Sequence, residues 1–281
     1  MRIIKSPDDM QRAALALRAQ GRRIGLVPTM GFLHAGHFSL VQLARARSDV
    51  VILSLFVNPA QFGPREDLAR YPRDFERDAA LCRDVGVDIL FAPETADLYA
   101  PNASVWVVEE KLAAGLCGAT RPGHFRGVCT VVAKLFNLCR PHAAAFGEKD
   151  AQQLRIIRRM TRDLNFPIEI IPGPIIREPD GLAMSSRNVF LSAEERRQAL
   201  VLRRALDEAE RLFHAGMRDA GALRSALRLI LGQAPAAQVD YIAVVDDDTL
   251  EPVQTLDQPV LVALAVFIGQ TRLIDNTVLK M

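Results

Sequence analysis

Short apolar runs alternate with amphipathic stretches through the first 175 residues of the chain. The apolar runs, typical of strands buried on both faces of a parallel sheet, are 24–27, 50–57, 88–91, 143–146 and 168–171. The stretches with helical spacing are 7–20, 37–47, 75–85, 127–138 and 150–165, and residues 105–108 are interpreted as a further strand. This alternation predicts an α/β domain over 1–175, a Rossmann-like parallel sheet with helices on both faces.

The pattern changes after residue 175. A capping box at 192–195 predicts a long helix to about 215, and a second helix follows near 220–231. Three strand-like runs come after the helices, at 241–245, 260–268 and 272–279. Helices followed by clustered strands predict a smaller C-terminal α+β domain over 176–281.

Composition adds few constraints. The chain has 281 residues, of which 49% are hydrophobic and 24% charged, with a net charge of +2. This near balance favours neither nucleic acid nor an anionic membrane as a partner. The longest apolar run in the C-terminal part of the chain has nine residues, whereas a membrane span needs roughly 20. The first residues lack the apolar stretch of a signal peptide. A cytoplasmic protein is expected. Because none of its four cysteines forms a C-x-x-C pair, all four are expected to be reduced and mostly buried.

The stretch with the most distinctive chemistry is 27–37, where a predicted strand feeds a predicted helix through a glycine-rich turn. The turn carries His34 and His37, with Gly31 and Gly36 beside them. A helix start offers unpaired N–H groups to phosphate, and two imidazoles can donate to phosphate oxygens. The alternatives are a metal pair, which lacks a third ligand nearby in the sequence, and two ordinary surface histidines.

Other polar groups follow other predicted strand ends. Lys149 precedes the helix that contains Gln153, and it is placed to meet a phosphate as a point charge, although a solvated lysine is the alternative. Asn58 and Gln61 follow the strand at 50–57 and suit a substrate that has hydroxyls and a carboxylate. The basic, turn-rich segment 121–127 is interpreted either as a flank of the site or as a subunit contact.

A polar loop, residues 184–188, lies between the two predicted domains. Its two hydroxyls and one guanidinium can bind a triphosphate, whereas its composition alone favours a simple linker. The chain contains no G-x-x-x-x-G-K-[ST], no G-x-G-x-x-G after the first strand and no G-x-S-x-G. P-loop kinases, NAD enzymes and simple serine hydrolases are therefore disfavoured.

These motifs resemble those of a known family. The turn at 34–37 resembles the H-x-G-H signature of the nucleotidyltransferase superfamily, and the longer match, over essentially the whole chain, is to pantoate–β-alanine ligases. The segments that carry this longer match are 28–31, 56–59, 71–73, 121–127, 146–150 and 184–188. Two other hypotheses remain open, a transferase of the same superfamily that leaves the nucleotide on its product and a non-catalytic nucleotide-binding module.

The resemblance implies a two-step reaction in the pantothenate and coenzyme A pathway. ATP and pantoate give pantoyl adenylate and pyrophosphate, and the amine of β-alanine then displaces AMP. The resemblance also implies Mg²⁺ bound to the ATP phosphates and a homodimer. A second domain that closes over the ATP site, and no nucleic-acid or membrane partner, are further expectations.

The resemblance assigns site residues one by one. His34, His37 and Lys149 are predicted to be catalytic because they can stabilise charge and position the substrates, and the resemblance places the family's proton donor at His37. The ATP contacts it implies are Met30, Gly31, Phe32, Leu33, His34, Ala35, Gly36, His37, Gly147, Glu148, Lys149, Asp150, Ile176, Met184, Ser185, Ser186 and Arg187. Its pantoate contacts are Gln61 and Gln153, with Gln61 also near β-alanine, and Asn58 is added as a substrate contact from its position. Phe32, Ala35, Glu148, Ala151 and Cys129 depart from the usual family pattern, without removing a named functional group.

Overall fold

The computed structural model describes residues 1–64 and 66–280. A six-stranded parallel sheet has the order β1-β4-β3-β2-β5-β6. Its strands are β1 (Arg2–Ile4), β2 (Ile24–Thr29), β3 (Val50–Leu55), β4 (Ile89–Phe91), β5 (Ala143–Gly147) and β6 (Glu169–Gly173). The predicted α/β class and parallel sheet are confirmed. β1 was not predicted, because it has three residues of which one, Ile4, is buried.

Within residues 1–64 and 66–280, seven α-helices precede β6 in the chain. They are α1 (Pro7–Ala19), α2 (Ala35–Arg45), α3 (Phe75–Asp84), α4 (Thr95–Leu98), α5 (Leu116–Thr120), α6 (His124–Cys139) and α7 (Ala151–Asp163). Four of these helices, α1, α3, α6 and α7, start and end within three residues of the predicted positions. The predicted strand at 105–108 is wrong: the segment forms no strand, and Val105 is 84% exposed, so its apolar side chains are not drawn into the sheet.

Side chains on one face of the sheet pack with α2 and α3. Val27, Leu53 and Leu90 are neighbours across β2, β3 and β4, and they join one buried cluster with Val41 of α2 and Cys82 of α3. Helices α1 and α6 contact each other and β2, and none of their residues belongs to that cluster. They therefore cover the opposite face, as expected for strands that are apolar on both sides.

The C-terminal part of the chain contains three helices and an antiparallel three-stranded sheet. The helices are α8 (Ala193–Ala199), α9 (Val201–His214) and α10 (Ala220–Leu231), and the strands are β7 (Ala237–Asp246), β8 (Val260–Ile268) and β9 (Thr271–Leu279). The predicted α+β arrangement is confirmed. The long helix predicted to run to about 215 is two helices that meet at Leu200, whose ψ of −13° departs from the α-helical value.

The chain divides into two compact units. The first contains 1–110, 121–148 and 153–174, and the second contains 111–120, 149–152 and 175–281. The prediction of two domains with a boundary at 175/176 stays a prediction.

The four cysteines are free and buried. Burial raises the pKa of Cys82 and of Cys129 to about 12. Thiols with such pKa values are poor nucleophiles at neutral pH, so these two residues pack as small apolar groups. None of the helices within 1–64 and 66–280 combines the length and the hydropathy needed to cross a membrane.

Candidate active site

The parallel strands β2, β3 and β5 present their carboxyl ends at the same edge of the sheet. The segment that follows β2 is the glycine turn, which we define as residues 30–37. Residues 58–61 follow β3, and Gly147 ends β5. Ligands of open α/β proteins bind at this edge, so the fold of the first unit brings these predicted site segments to a suitable place.

The glycine turn leaves β2 through two consecutive left-handed residues. Gly31 has a φ of +86° and Phe32 a φ of +51°. A Cβ at position 31 would lie 3.1 Å from Oδ2 of Asp78, and any L side chain is strained at this φ. Glycine is therefore required at 31, both for the path of the chain and for the approach of Asp78.

The two histidines cap the start of α2. Nδ1 of His34 accepts a hydrogen bond from the N–H of Gly36, and Nδ1 of His37 accepts one from the N–H of His34, both at 3.2 Å. Serine or threonine and glutamate usually fill these two roles. A neutral imidazole that accepts at Nδ1 carries its proton on Nε2, so the donor of each ring is the far nitrogen. The ring centroids are 4.0 Å apart, which keeps the two rings side by side.

The expectation of unpaired N–H groups at this helix start is wrong for Gly36, and the N–H groups just before the helix are also paired. The N–H groups of Phe32 and Leu33 donate to Asp78 at 2.6 and 2.8 Å. Those of His34 and Gly36 donate to the imidazoles. These four N–H groups are thus satisfied within the protein.

Asp78 reaches the turn from α3. Its side chain is 1% exposed, and Nη1 of Arg77 lies 3.2 Å from Oδ1. Nη2 of Arg77 donates to the carbonyl of Leu33 at 3.0 Å, and its guanidinium lies 4.9 Å from the centroid of the Phe32 ring. Sequence reasoning did not single out Asp78. The available signal was an acid four residues before Cys82 on the buried face of α3, where a carboxylate needs partners.

Gln61 is held by two groups of the first unit. Nδ2 of Asn58 donates to Oε1 of Gln61 at 3.0 Å and to the carbonyl of Gly127 at 3.1 Å. Nε2 of Gln61 donates toward Sδ of Met30 at 3.1 Å, which places Gln61 beside the glycine turn. Asn58 is 1% exposed, so its amide is used inside the protein to orient Gln61. A Cβ at Gly127 would lie 2.3 Å from the carbonyl oxygen of Ala60, so glycine permits this contact.

The basic segment 121–127 also contacts Gln61. Nη1 of Arg121 lies 3.0 Å from Nε2 of His124, and because arginine has no acceptor, Nε2 accepts and the ring proton is on Nδ1. That Nδ1 donates to the backbone carbonyl of Gln61 at 2.8 Å. Arg121 pairs with Glu66 through Nε and Nη2 at 2.9 and 2.7 Å. Burial raises the pKa of Glu66, but the bonds and charge of Arg121 outweigh it, so the pKa lies below the ordinary value.

In the second unit, Lys149 is in a 3-10 turn at Glu148–Asp150. Its backbone carbonyl accepts a bond from Nδ2 of Asn276 at 3.0 Å. Burial lowers the pKa of its ammonium below that of an ordinary lysine, Arg187 lowers it further, and Asp150 and Asp275 oppose these effects. Lys149 is thus a half-buried cation whose charge depends on its surroundings.

The polar loop at 184–188 is part of a hairpin in the second unit. The N–H of Met184 donates to the carbonyl of Ile176 at 2.9 Å, so these two predicted ATP contacts are paired. Oγ of Ser185 accepts from the N–H of Arg187 at 3.3 Å and caps a 3-10 turn. The hairpin is anchored by Arg177, which binds both carboxylate oxygens of Asp275 at 2.7 and 2.9 Å. The interpretation of the loop as a simple linker is therefore wrong.

The similarity of the chain to known proteins covers nearly its whole length. The family model described as pantoate-beta-alanine ligase matches residues 2–278. The chain belongs to the pantoate-beta-alanine ligase family.

Curated relatives and solved structures of this family match in full. The pantothenate synthetase of Thermotoga neapolitana is 55% identical over 279 residues, which are 99% of this chain and 100% of that protein. A crystal structure of pantothenate synthetase from Thermus thermophilus has a TM-score of 0.93 at 45% identity and covers 99% of each chain. A pantoate-beta-alanine ligase from Francisella tularensis, complexed with beta-gamma ATP and beta-alanine, has a TM-score of 0.81 at 33% identity. It covers 99% of this chain and 97% of that chain.

The structure groups the site residues that the family resemblance implies into two sets. In the first unit, the glycine turn adjoins Gln61 and Asn58, Gly147 and Glu148 follow β5, and Gln153 lies in the first turn of α7. In the second unit, Lys149 and Asp150 lie in the 3-10 turn, and Ile176 pairs with the segment 184–187. The individual roles of these residues in this member of the pantoate-beta-alanine ligase family stay predictions.

Proposed function

We propose how residues of this chain carry out the family's reaction, in which pantoate is joined to β-alanine at the expense of ATP. The carboxylate oxygen of pantoate attacks the α-phosphorus of ATP, forming the acyl phosphate bond while pyrophosphate leaves. The amine of β-alanine then attacks the acyl carbon, forming the amide while AMP leaves. The match of the family model over 2–278 carries this proposal.

In the first step, His34 and His37 donate from Nε2 to phosphate oxygens of ATP. Their Nδ1 atoms accept backbone N–H groups, which orients both rings before ATP binds. Preoriented donors stabilise charge that grows on phosphate oxygens in the transition state. The carboxylate of pantoate is already ionised near pH 7, so this step needs no general base.

Lys149 supplies the positive charge for the ATP phosphates. The other ATP contacts that we propose are the remaining residues of the glycine turn, Gly147, Glu148, Asp150, Ile176 and 184–187. Lys149 carries this positive charge only while it is protonated. Because its pKa is lowered, it loses the proton at a less alkaline pH than an ordinary lysine.

The organic substrates are proposed to contact Gln61 and Gln153, with Gln61 also near β-alanine. The amide of Gln61 is oriented by Asn58, and its backbone by His124. We assign Asn58 an effect on substrate binding through Gln61, because its own polar atoms bond within the protein.

Mg²⁺ is proposed to enter with the ATP phosphates. Within 1–64 and 66–280, no group of three or more His, Cys, Asp or Glu residues has the arrangement of a metal site. Phosphate oxygens and water are the ligands that Mg²⁺ takes in ATP-dependent enzymes. A homodimer and a cytoplasmic location stay predictions from the sequence, and sedimentation analysis measures the first.

The test is an assay of the purified protein with ATP, Mg²⁺, pantoate and β-alanine. We expect AMP and pantothenate in equal amounts, with AMP release dependent on both organic substrates. With pantoate alone, we expect one pyrophosphate per active site and a bound pantoyl adenylate. ATP turnover that is indifferent to pantoate and β-alanine contradicts the proposed reaction, and tight ATP binding without turnover indicates a binding module.

A further inference from the structure

We infer that Asp78, with Arg77 beside it, is the positioning group that holds the glycine turn in the geometry needed for adenylate formation. The inference rests on the proposed role of His34 and His37 at the ATP phosphates. Asp78 lies 41 positions after His37 in the chain, on α3, and it is not among the proposed catalytic or substrate-binding residues.

The first observation is the use of both carboxylate oxygens. Oδ2 accepts the N–H of Phe32 at 2.6 Å, and Oδ1 accepts the N–H of Leu33 at 2.8 Å. Asp78 does not cap its own helix, because that role belongs to Asp74, whose carboxylate accepts the N–H of Arg77 at 3.1 Å. A nearly fully buried carboxylate is therefore directed at another element of the first unit.

The second observation is the conformation that these bonds hold. Gly31 and Phe32 are both left-handed, and Phe32 adopts this region although it has a side chain. A non-glycine residue in this region is unfavourable unless its surroundings fix it. Two N–H groups bound to one carboxylate fix the direction of the peptides at 31–33, immediately before the imidazole of His34.

The third observation is the second attachment through Arg77. Its guanidinium donates to the carbonyl of Leu33 at 3.0 Å, lies over the Phe32 ring and pairs with Asp78 at 3.2 Å. The N–H and the carbonyl of Leu33 are thus both held by α3. These contacts hold the path of the chain between β2 and α2. They thereby hold the positions of the rings of His34 and His37.

The main test measures adenylate formation in a single turnover by Asp78→Asn. An amide keeps one acceptor oxygen and presents an N–H₂ group to the other backbone N–H, so one bond is lost. We expect adenylate formation to slow by about 10²-fold, the size of effect that misplacement of catalytic groups by about 1 Å produces. Amide hydrogen exchange at Phe32 and Leu33 should accelerate in the same variant.

The matched control is Asp74→Ala on the same helix. It removes the N-cap of α3 and lowers stability, but it leaves both bonds from Asp78 to the turn in place. We expect its adenylate formation to stay within about threefold of wild type. Equal losses in Asp74→Ala and Asp78→Asn at matched melting temperatures would mean that Asp78 acts through overall stability, which overturns the inference.

A double-mutant cycle with His37→Asn separates this inference from the proposed histidine role. If Asp78 acts by placing the rings, Asp78→Asn should slow adenylate formation much less in the His37→Asn background than in the wild type. Fully additive effects of the two substitutions on that rate overturn the inference. If His37→Asn alone keeps wild-type rates, the histidine role fails and the inference fails with it. If His37→Asn is slow and Asp78→Asn is not, only the inference on Asp78 is overturned.

Should Asp78→Asn not fold, Arg77→Gln replaces it. The Arg77 side chain is 42% exposed, so its loss is tolerated more easily by the core. We expect a smaller loss of adenylate formation, about tenfold, with faster exchange at Leu33. An unchanged rate in a folded Arg77→Gln variant contradicts the inference.

Discussion

The glycine turn and the 3-10 turn that contains Lys149 are both proposed to bind phosphate, and they differ in the physical means. His34 and His37 are neutral donors whose orientation is fixed by backbone bonds to Nδ1. Lys149 is a point charge, and burial lowers the pKa of its ammonium group. The first region therefore depends on geometry and the second on charge, so that substitutions and pH should affect them separately.

The largest expected effect follows from His37. We expect His37→Ala to lose about 10³-fold in adenylate formation, because it removes a preoriented donor, and about 1 kcal/mol of stability, because it removes part of a helix cap. His37→Asn places an amide oxygen near the position of Nδ1, so it should restore the stability without restoring the rate. Single-turnover pyrophosphate release and thermal unfolding measure the two quantities.

Recovery of both rate and stability in His37→Asn would show that His37 serves the helix start alone. His37→Gln gives the opposite control, because its amide nitrogen lies near the position of Nε2. We expect it to be less stable than His37→Asn and faster in pyrophosphate release.

The second effect tests Lys149 by its charge. Lys149→Ala should slow pyrophosphate release by about 10²-fold, whereas Lys149→Arg keeps a positive charge and should lose less. In the wild type, kcat/KM for ATP should fall with rising pH before 10.5, since the folded pKa lies below that value and the protonated form binds phosphate. In Lys149→Arg the alkaline fall should move to higher pH.

The pH profile of kcat/KM for ATP measures this prediction directly. An alkaline fall at the same pH in wild type and Lys149→Arg would assign the titration to another group. The His37→Asn variant is the control here, because its substitution should lower the whole profile without moving the alkaline fall.

The smallest effect concerns a group that acts through Gln61. His124→Ala removes the bond from Nδ1 to the Gln61 carbonyl, worth about 1 kcal/mol, so KM for pantoate should rise about fivefold. His124→Asn keeps a donor near the position of Nδ1 and should recover most of this loss. Steady-state kinetics with pantoate varied provides the measurement, and an unchanged KM in a folded His124→Ala protein contradicts the role.

The two units also differ in how far their sequences predicted their sites. The glycine turn was recognised because an apolar strand, two glycines and two histidines are adjacent in the chain. The composition of the loop at 184–188 alone favours a linker, because Asp275, which anchors the hairpin through Arg177, lies 98 positions from that arginine. Asp275 is 2% exposed, and sequence alone does not identify which cation neutralises it.

The fold class, the main helices and strands, and the glycine turn are predictable from the sequence, because hydrophobic periodicity and turn residues act over short distances. The groups that accept hydrogen bonds from the turn are not predictable in this way. Asp78 accepts the N–H groups of Phe32 and Leu33, and the imidazoles accept those of His34 and Gly36 through Nδ1. A buried hydrogen bond requires two groups to approach closely, and Asp78 is 46 residues from Phe32 in the chain. The packing of α3 on the sheet produces this approach, whereas a local sequence pattern does not encode it.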